Sequence, residues 1–561
     1  MFDMPLFQDN ILDHIIAFNR FYFMSHPWWI WMLIVLVFVG SAFFLLRKNL
    51  SAPQYYKSFY QDISYSFLDI LPDRLALVFL LIAFAATGVW MFSLENSLFE
   101  NYDLMAVNTT RILEFGVKSS FSHYRICPLA FWFLNFLYAL TQNIFLIKTF
   151  VLCDLGLMTY LLYKLFNFIP VSKRLALLAL FLLTPTMLGT ANIIFIERSL
   201  FIYLALSLIC AKKYCSRGKL KWAVGYLFFA NFAIYTKETS ILFYFGILSF
   251  SIFYNIWNGV IILKSFIHPF KTIKSMPLEF LTGLSLFFYA ALYFLLISLT
   301  ENYKSDNSAS VLELILYYKF ELCVCLIAGI FFLKNSDIFK NDKNPLFSMQ
   351  SYYVGGIFVL ICIVFFLKLS PISPHLNGRT YYLVIPLLFS LGYMAYKIRN
   401  HYILILIALL ISGYSVRQDI TSYQQEQGKY YREVAEFFAE NLDKNASETI
   451  FLEEKPFSKK PTQNVWMIEV WSSAFKYYFK DYNINFKFYT DYIKLLGNEH
   501  SSYSHLQGAL YFNVYAWIYP NPGDWLVINR LIPEQKLEHF ADYRKEKPQF
   551  QNKLFEVYKV K

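Results

Sequence analysis

Charge is scarce in this 561-residue chain: 16% of residues are Asp, Glu, Lys or Arg, while 57% are hydrophobic and 20% aromatic. A soluble globular protein is excluded, because water-facing surfaces need about a quarter of residues charged. Glycine is also sparse, 20 residues, and no internal duplication is visible. That speaks against a transporter built from paired repeats with glycine-broken helices at the midplane. The nine histidines are scattered, with neither HExxH nor a Cys/His cluster, so no dedicated zinc site is expected. All seven cysteines lie before residue 363, which excludes a disulfide framework or four-cysteine zinc site in the C-terminal part. Cys323 and Cys325 sit in an apolar run, where packing is the expected use. Neither GxxxxGK[ST] nor GxGxxG occurs, against an ATP-driven pump or a nicotinamide enzyme.

Long apolar runs fill residues 28–415 and then stop. About twelve candidate spans follow: 28–46, 75–92, 144–166, 175–188, 193–211, 222–235, 240–257, 280–299, 311–333, 352–367, 381–396 and 402–413. The reading is a polytopic α-helical membrane protein with a C-terminal α/β domain. Its parts are residues 1–73, an N-terminal segment with an additional span; 74–415, the main transmembrane domain with a long loop at 93–127; and 416–561, a domain outside the membrane. Residues 1–27 lack a charged stub followed by an apolar core, so the first span is expected to be retained rather than cleaved.

The net charge of +11 does not point to nucleic acid. Residues 416–561 hold 19 basic and 19 acidic side chains, so the whole excess lies in the membrane part. There one set of alternate loops, including Lys164, Lys173, Arg174, Lys212, Lys213, Lys397 and Arg399, carries 20 basic residues, and the other set carries 8. Lys and Arg accumulate on the cytoplasmic side, so the poor set and both termini are expected to face outward. The sequons at Asn108 and Asn445 are near chance for this length. A bacterial inner membrane is the expected location, or the endoplasmic reticulum if the source is eukaryotic.

In the C-terminal part, residues 430–441 and 465–480 read as helices, and 449–452, 525–529 and 554–560 as strands. Asn521-Pro522-Gly523-Asp524 is a turn.

The few charges on the outward set are the informative ones, since an ionisable group at the membrane is costly. The 93–127 loop carries Glu95, Glu100 and Asp103, and ends in His123-Tyr124-Arg125. An apolar segment, 129–140, follows; it is too short to span and is expected along the interface. Further outward turns supply Glu197-Arg198, Lys237-Glu238, and His375 with Arg379 and Tyr381-Tyr382. A carboxylate can take a proton from an acceptor hydroxyl while Arg and Lys stabilise a departing phosphate. Snorkelling and local neutralisation, as between Lys237 and Glu238, are the plainer alternatives. Glu313, Lys319 and Glu321, inside a span, form a weaker candidate site.

In their order and shared sidedness these elements resemble the membrane glycosyltransferases of the C-type fold, which use polyprenyl-phosphate sugars and include protein O-mannosyltransferases and lipid A aminoarabinose transferases. The elements are Glu100-Asn101-Tyr102-Asp103, the loop-end tyrosine and arginine, the basic third cytoplasmic loop, Lys237-Glu238, and Arg379 with Tyr381-Tyr382. The resemblance spans about residues 75–400. It implies Asp103 as base, Glu100 as its acidic companion and Glu95 in reserve, with Arg125, Arg198, Lys237 and Arg379 on the donor phosphate. His123, Tyr124, Glu197, Glu238, His375 and Tyr381 would line the substrate. The acidic residues are spread where the family has an adjacent pair, Ile126-Cys127 intervenes before Pro128, and the span at 28–46 is additional. The implied partners are the bilayer, a polyprenyl-phosphate sugar, and a lipid, glycan or protein acceptor, without cofactor; a divalent metal stays open. A ligase or polymerase of lipid-linked polysaccharide, or a lipid or sugar flippase, are the other readings.

Overall fold

The computed structural model describes residues 70–93, 144–190, 196–257, 276–296, 319–334, 348–365, 383–398, 433–443, 447–453, 483–488, 513–516, 520–530, 541–553 and 555–561. It also describes Gly40 and isolated positions at 129–140, 403–410 and 430. Two compact units divide the chain: residues 1–91 with 116–418, which hold the helices described below, and residues 92–115 with 419–561.

The helices of the first unit are α1 (Ile70–Ser93), α2 (Ile144–Leu165), α3 (Val171–Leu182), α4 (Pro185–Thr190), α5 (Glu197–Arg217), α6 (Leu220–Thr236), α7 (Glu238–Trp257), α8 (Pro277–Leu296), α9 (Lys319–Leu333), α10 (Met349–Phe365) and α11 (Val384–Lys397). Four stretches, Arg74–Phe92, Phe145–Leu165, Glu197–Arg217 and Glu238–Trp257, are long and apolar enough to cross a membrane, and Pro277–Ala291, Met349–Val364 and Val384–Lys397 are shorter apolar helices. The protein is a polytopic helical membrane protein.

Large apolar side chains stay exposed on the outside of the helices, as expected where lipid is as apolar as leucine. On α1, Leu75, Leu81, Ile82 and Val89 are exposed, whereas Ala76, Ala83 and Thr87 are buried. A Cβ at Gly246 of α7 would lie 2.9 Å from Gly355 Cα of α10, so these helices touch backbone to backbone. α11 is buried from Val384 to Ala395 and forms the centre of the bundle.

The run expected as one helix over 175–188 is two. Thr184 ends α3 and opens α4: its hydroxyl accepts the Met187 N–H at 3.2 Å, and Pro185 takes the first helical position, where no N–H is needed. The next helix starts at Glu197 rather than at 193. Of the two cysteines expected to pack, Cys325 is buried and Cys323 is exposed.

Among the described residues, three loops of the basic-rich set come together at one end of the bundle. Lys212 donates to Leu165 O at 3.1 Å and to Asn167 Oδ1, Arg174 donates to Tyr163 O at 3.2 Å, and Lys173 donates to Ile398 O. At the other end Leu129 N donates to Tyr235 O at 3.2 Å, joining the segment after the 93–127 loop to the α6–α7 turn.

The second unit is a six-stranded sheet of order β3-β2-β1-β4-β6-β5. Its strands are β1 (Ser447–Glu453), β2 (Asn483–Phe488), β3 (Asn513–Ala516), β4 (Trp525–Asn529), β5 (Phe550–Gln551) and β6 (Phe555–Lys559). The first four are mutually parallel, and β6 runs antiparallel to β4 and β5. Phe451, Leu526, Ile528, Tyr558 and Val560 form the core on one face. Phe437 and Phe438, from helical residues 433–441, pack edge-on against Trp525. The 521–524 turn forms as expected: Asp524 N donates to Asn521 O at 3.0 Å, and Gly523 takes φ +91°, a left-handed conformation glycine adopts without strain. The helix expected at 465–480 lies outside the described residues.

Candidate active site

Of the charged residues singled out as candidate site residues, Glu197, Arg198, Lys237, Glu238, Lys319 and Glu321 are described. Glu95, Glu100, Asp103, His123, Tyr124, Arg125, His375, Arg379 and Tyr381 lie outside the described residues, as does Glu313.

Glu197 is the first residue of α5, where a carboxylate complements the positive end of the helix dipole. Arg198 follows it in the same first turn, where a cation opposes that dipole. Its position is explained by what it touches: Arg198 Nη1 donates to Thr190 O at 2.8 Å, and Nε lies 3.7 Å from Asp154 Oδ2 on α2. Arg198 is 2% exposed and Asp154 9%.

Lys237 is the residue between α6 and α7, with extended backbone at φ −158° and ψ 139°. Consecutive side chains on extended backbone point to opposite sides, so Lys237 can turn from Glu238 towards another helix. Its ammonium pairs with Glu197 Oε1, 40 residues away, and both side chains are buried. Glu238 opens α7 and is half-buried. Lys237 thus has an acidic partner on another helix, beyond the neighbouring Glu238 weighed from sequence.

A further buried carboxylate contacts α4. Glu321, in the first turn of α9, accepts a hydrogen bond from Thr186 Oγ1 and is 5% exposed. Thr186 and Thr190 are one turn apart on α4, so this short helix presents its hydroxyl to Glu321 and its last carbonyl to Arg198. The bundle gathers Asp154, Glu197, Arg198, Lys237, Thr186 and Glu321 from α2, α4, α5, the α6–α7 junction and α9.

Asp154 was missed from sequence. It is the one acidic residue of the apolar run 144–166, and an intramembrane carboxylate is by itself a functional signal. A second buried carboxylate, Glu279 on α8, accepts from Ser251 Oγ at 3.1 Å and had no comparable signal at the edge of its span. Among the described residues no group of three or more His, Cys, Asp or Glu comes together to hold a metal ion.

Chemically, the site offers two cations whose positions are fixed by carboxylates. Fixed donors of this kind stabilise charge that develops on an oxyanion without rearranging.

No family model matches the chain, and no curated protein matches it. Among solved structures, ArnT from Cupriavidus metallidurans bound to undecaprenyl phosphate is similar over 85% of this chain and 97% of that one, at 11% identity and a TM-score of 0.44. A likeness of that score does not align residue with residue, and the site stands on its own contacts.

Proposed function

We propose that this chain is an integral membrane glycosyltransferase that moves one sugar from a polyprenyl monophosphate to a hydroxyl of a lipid, glycan or protein acceptor, with inversion. The observation that carries the reading is the pair of buried cations, Arg198 and Lys237, each held by an acid from another helix at the cation-poor end of the bundle. The charge asymmetry of the loops supports the outward orientation of that end, with both termini and the α/β unit on the same side of an inner membrane and about twelve spans.

In this reading Asp103 takes the proton from the acceptor hydroxyl as its oxygen attacks the anomeric carbon, with Glu100 and Glu95 as its acidic neighbours. The bond from that carbon to the phosphate oxygen breaks. Arg198 and Lys237, with Arg125 and Arg379, stabilise the phosphate that leaves. Four residues after Arg125, Leu129 is hydrogen-bonded beside the Lys237 turn, which supports a shared role for these two cations.

The test is transfer by purified protein in vesicles, with a radiolabelled polyprenyl-phosphate sugar and a membrane extract as acceptor. Wild type incorporates single sugars, and Asp103→Asn at equal expression does not. Retained activity in that variant moves the base to Glu100 or Glu95. A ladder of products favours the polysaccharide polymerase, and donor translocation without transfer favours the flippase.

A further inference from the structure

We infer that Glu197 is a specificity-determining residue that reads a hydroxyl group of the transferred sugar through its second carboxylate oxygen. The inference rests on the glycosyl-transfer reading above and adds the part of the donor that this side chain recognises.

The two oxygens of Glu197 differ in their surroundings. Oε1 receives the Lys237 ammonium, which fixes the carboxylate. Oε2 is buried and accepts no hydrogen bond among the described residues. A buried carboxylate oxygen that accepts nothing is costly, and such exceptions in native structures call for an explanation. Helix capping does not supply one, because the start of α5 carries no side-chain cap hydrogen bond. Arg198, next in the chain, attracts Glu197 by charge, but its ion pair is made with Asp154 and Oε2 still accepts no hydrogen bond.

What Oε2 needs is a hydrogen-bond donor that arrives with the substrate. A phosphate is excluded as its partner, since two anions repel, and phosphate belongs on the Lys237 side. A sugar hydroxyl fits: it donates to a carboxylate in a strong charge-assisted bond. The covalent link between sugar and phosphate places hydroxyls beside the phosphate group, as Glu197 stands beside Lys237. A second buried polar atom with no hydrogen-bond partner among the described residues, Tyr235 Oη, lies two residues before Lys237 on the last turn of α6. The phenol donates where the carboxylate accepts, and a sugar ring offers groups for both.

A site that hydrogen-bonds a substrate hydroxyl rejects the analogue lacking it far more strongly than an apolar pocket rejects a missing methylene. The experiment measures kcat/KM of the full-length protein in vesicles for polyprenyl-phosphate hexoses and their monodeoxy analogues. Wild type is expected to prefer the parent over one monodeoxy donor by about a hundredfold or more. In Glu197→Gln the preference at that position falls at least tenfold, while discrimination at the other ring positions is unchanged. Glu197→Asp retains the charge beside Lys237 but withdraws the oxygen by one methylene, and gives the same selective loss if the Gln variant does not fold. A purely structural role lowers all donors in parallel and leaves the ratio intact, which overturns the inference, as does a wild type indifferent to every deoxy position. No transfer from any lipid-linked sugar sinks the underlying reading instead.

Discussion

Lys237 and Glu197 are 40 residues apart in the chain and form a buried ion pair that ties the α6–α7 junction to the start of α5. Neither helix end has this partner in its own sequence neighbourhood. The pair therefore reports tertiary packing, and its cost is justified either by the fold or by the chemistry.

Those two justifications separate by mutation. Lys237→Met leaves Glu197 as an uncompensated buried charge, for which about 3–5 kcal/mol of stability is expected to be lost. Replacing both residues with Met removes the orphan charge and is expected to restore thermal stability in detergent to near the wild-type value. Transfer is expected to fall at least about a hundredfold in both variants, corresponding to about 2.7 kcal/mol of transition-state stabilisation. A double variant that is stable and active would reduce the pair to a structural tie.

Asp154 and Arg198 call for a different readout, because Asp154 is a positioning residue in the reading proposed here. In Asp154→Asn the side chain keeps its shape but no longer holds the guanidinium by charge, while Thr190 O still accepts from it. The expected result is a KM for the lipid donor raised about tenfold, near 1.4 kcal/mol, with a smaller change in kcat. Steady-state kinetics at varied donor concentration decide it: equal KM values for variant and wild type would remove Asp154 from the site.

How much of this was legible in the sequence follows from the range of each signal. Apolar runs and charge bias are local properties, so most of the described helices, and the meeting of three basic-rich loops, could be read directly. The strand over 525–529 and the turn before it were equally local. The break at Thr184-Pro185 was legible but overridden by the apolar run around it. β2 was missed although Ile484, Phe486 and Phe488 alternate with polar residues. The partners of Arg198 and Lys237 were beyond reach, because Asp154 and Glu197 are brought to them by helix packing that no window of sequence contains.

Thr186 and Glu321 give a stability prediction independent of the donor. Thr186 donates a hydrogen bond to the buried carboxylate of Glu321, beside the one from Glu321's own backbone. Thr186→Val preserves the shape and removes the donor, and is expected to cost about 1–3 kcal/mol. Thr186→Ser, which keeps the hydroxyl, should lose less. Thermal unfolding in detergent distinguishes them, and equal midpoints for Val and wild type would show that Glu321 does not depend on this bond.

The C-terminal unit has its own pH limit. Tyr558, on β6, has a hydroxyl that donates to Glu556 Oε2 at 3.1 Å, and Glu556 is flanked by Arg544 Nε at 3.1 Å and Arg530 Nε at 3.3 Å. Burial first, and then the Glu556 charge, hold the Tyr558 phenol above its ordinary value of 10.0, and the two arginines only partly offset them. The folded state therefore binds this proton more tightly than the unfolded chain does. The stability contributed by the neutral phenol is complete below about pH 10 and is lost progressively as the pH rises beyond it, because the unfolded state then releases a proton that the folded state retains. Tyr558→Phe cannot ionise, so the α/β unit of the full-length variant should lose less stability between about pH 10 and 11.5 than wild type, even if it is slightly less stable at pH 8 for want of the hydrogen bond. Unfolding followed by the fluorescence of Trp525, compared with a Trp525→Phe background, reads this unit. Parallel pH profiles for wild type and Tyr558→Phe would show that another group sets the alkaline limit.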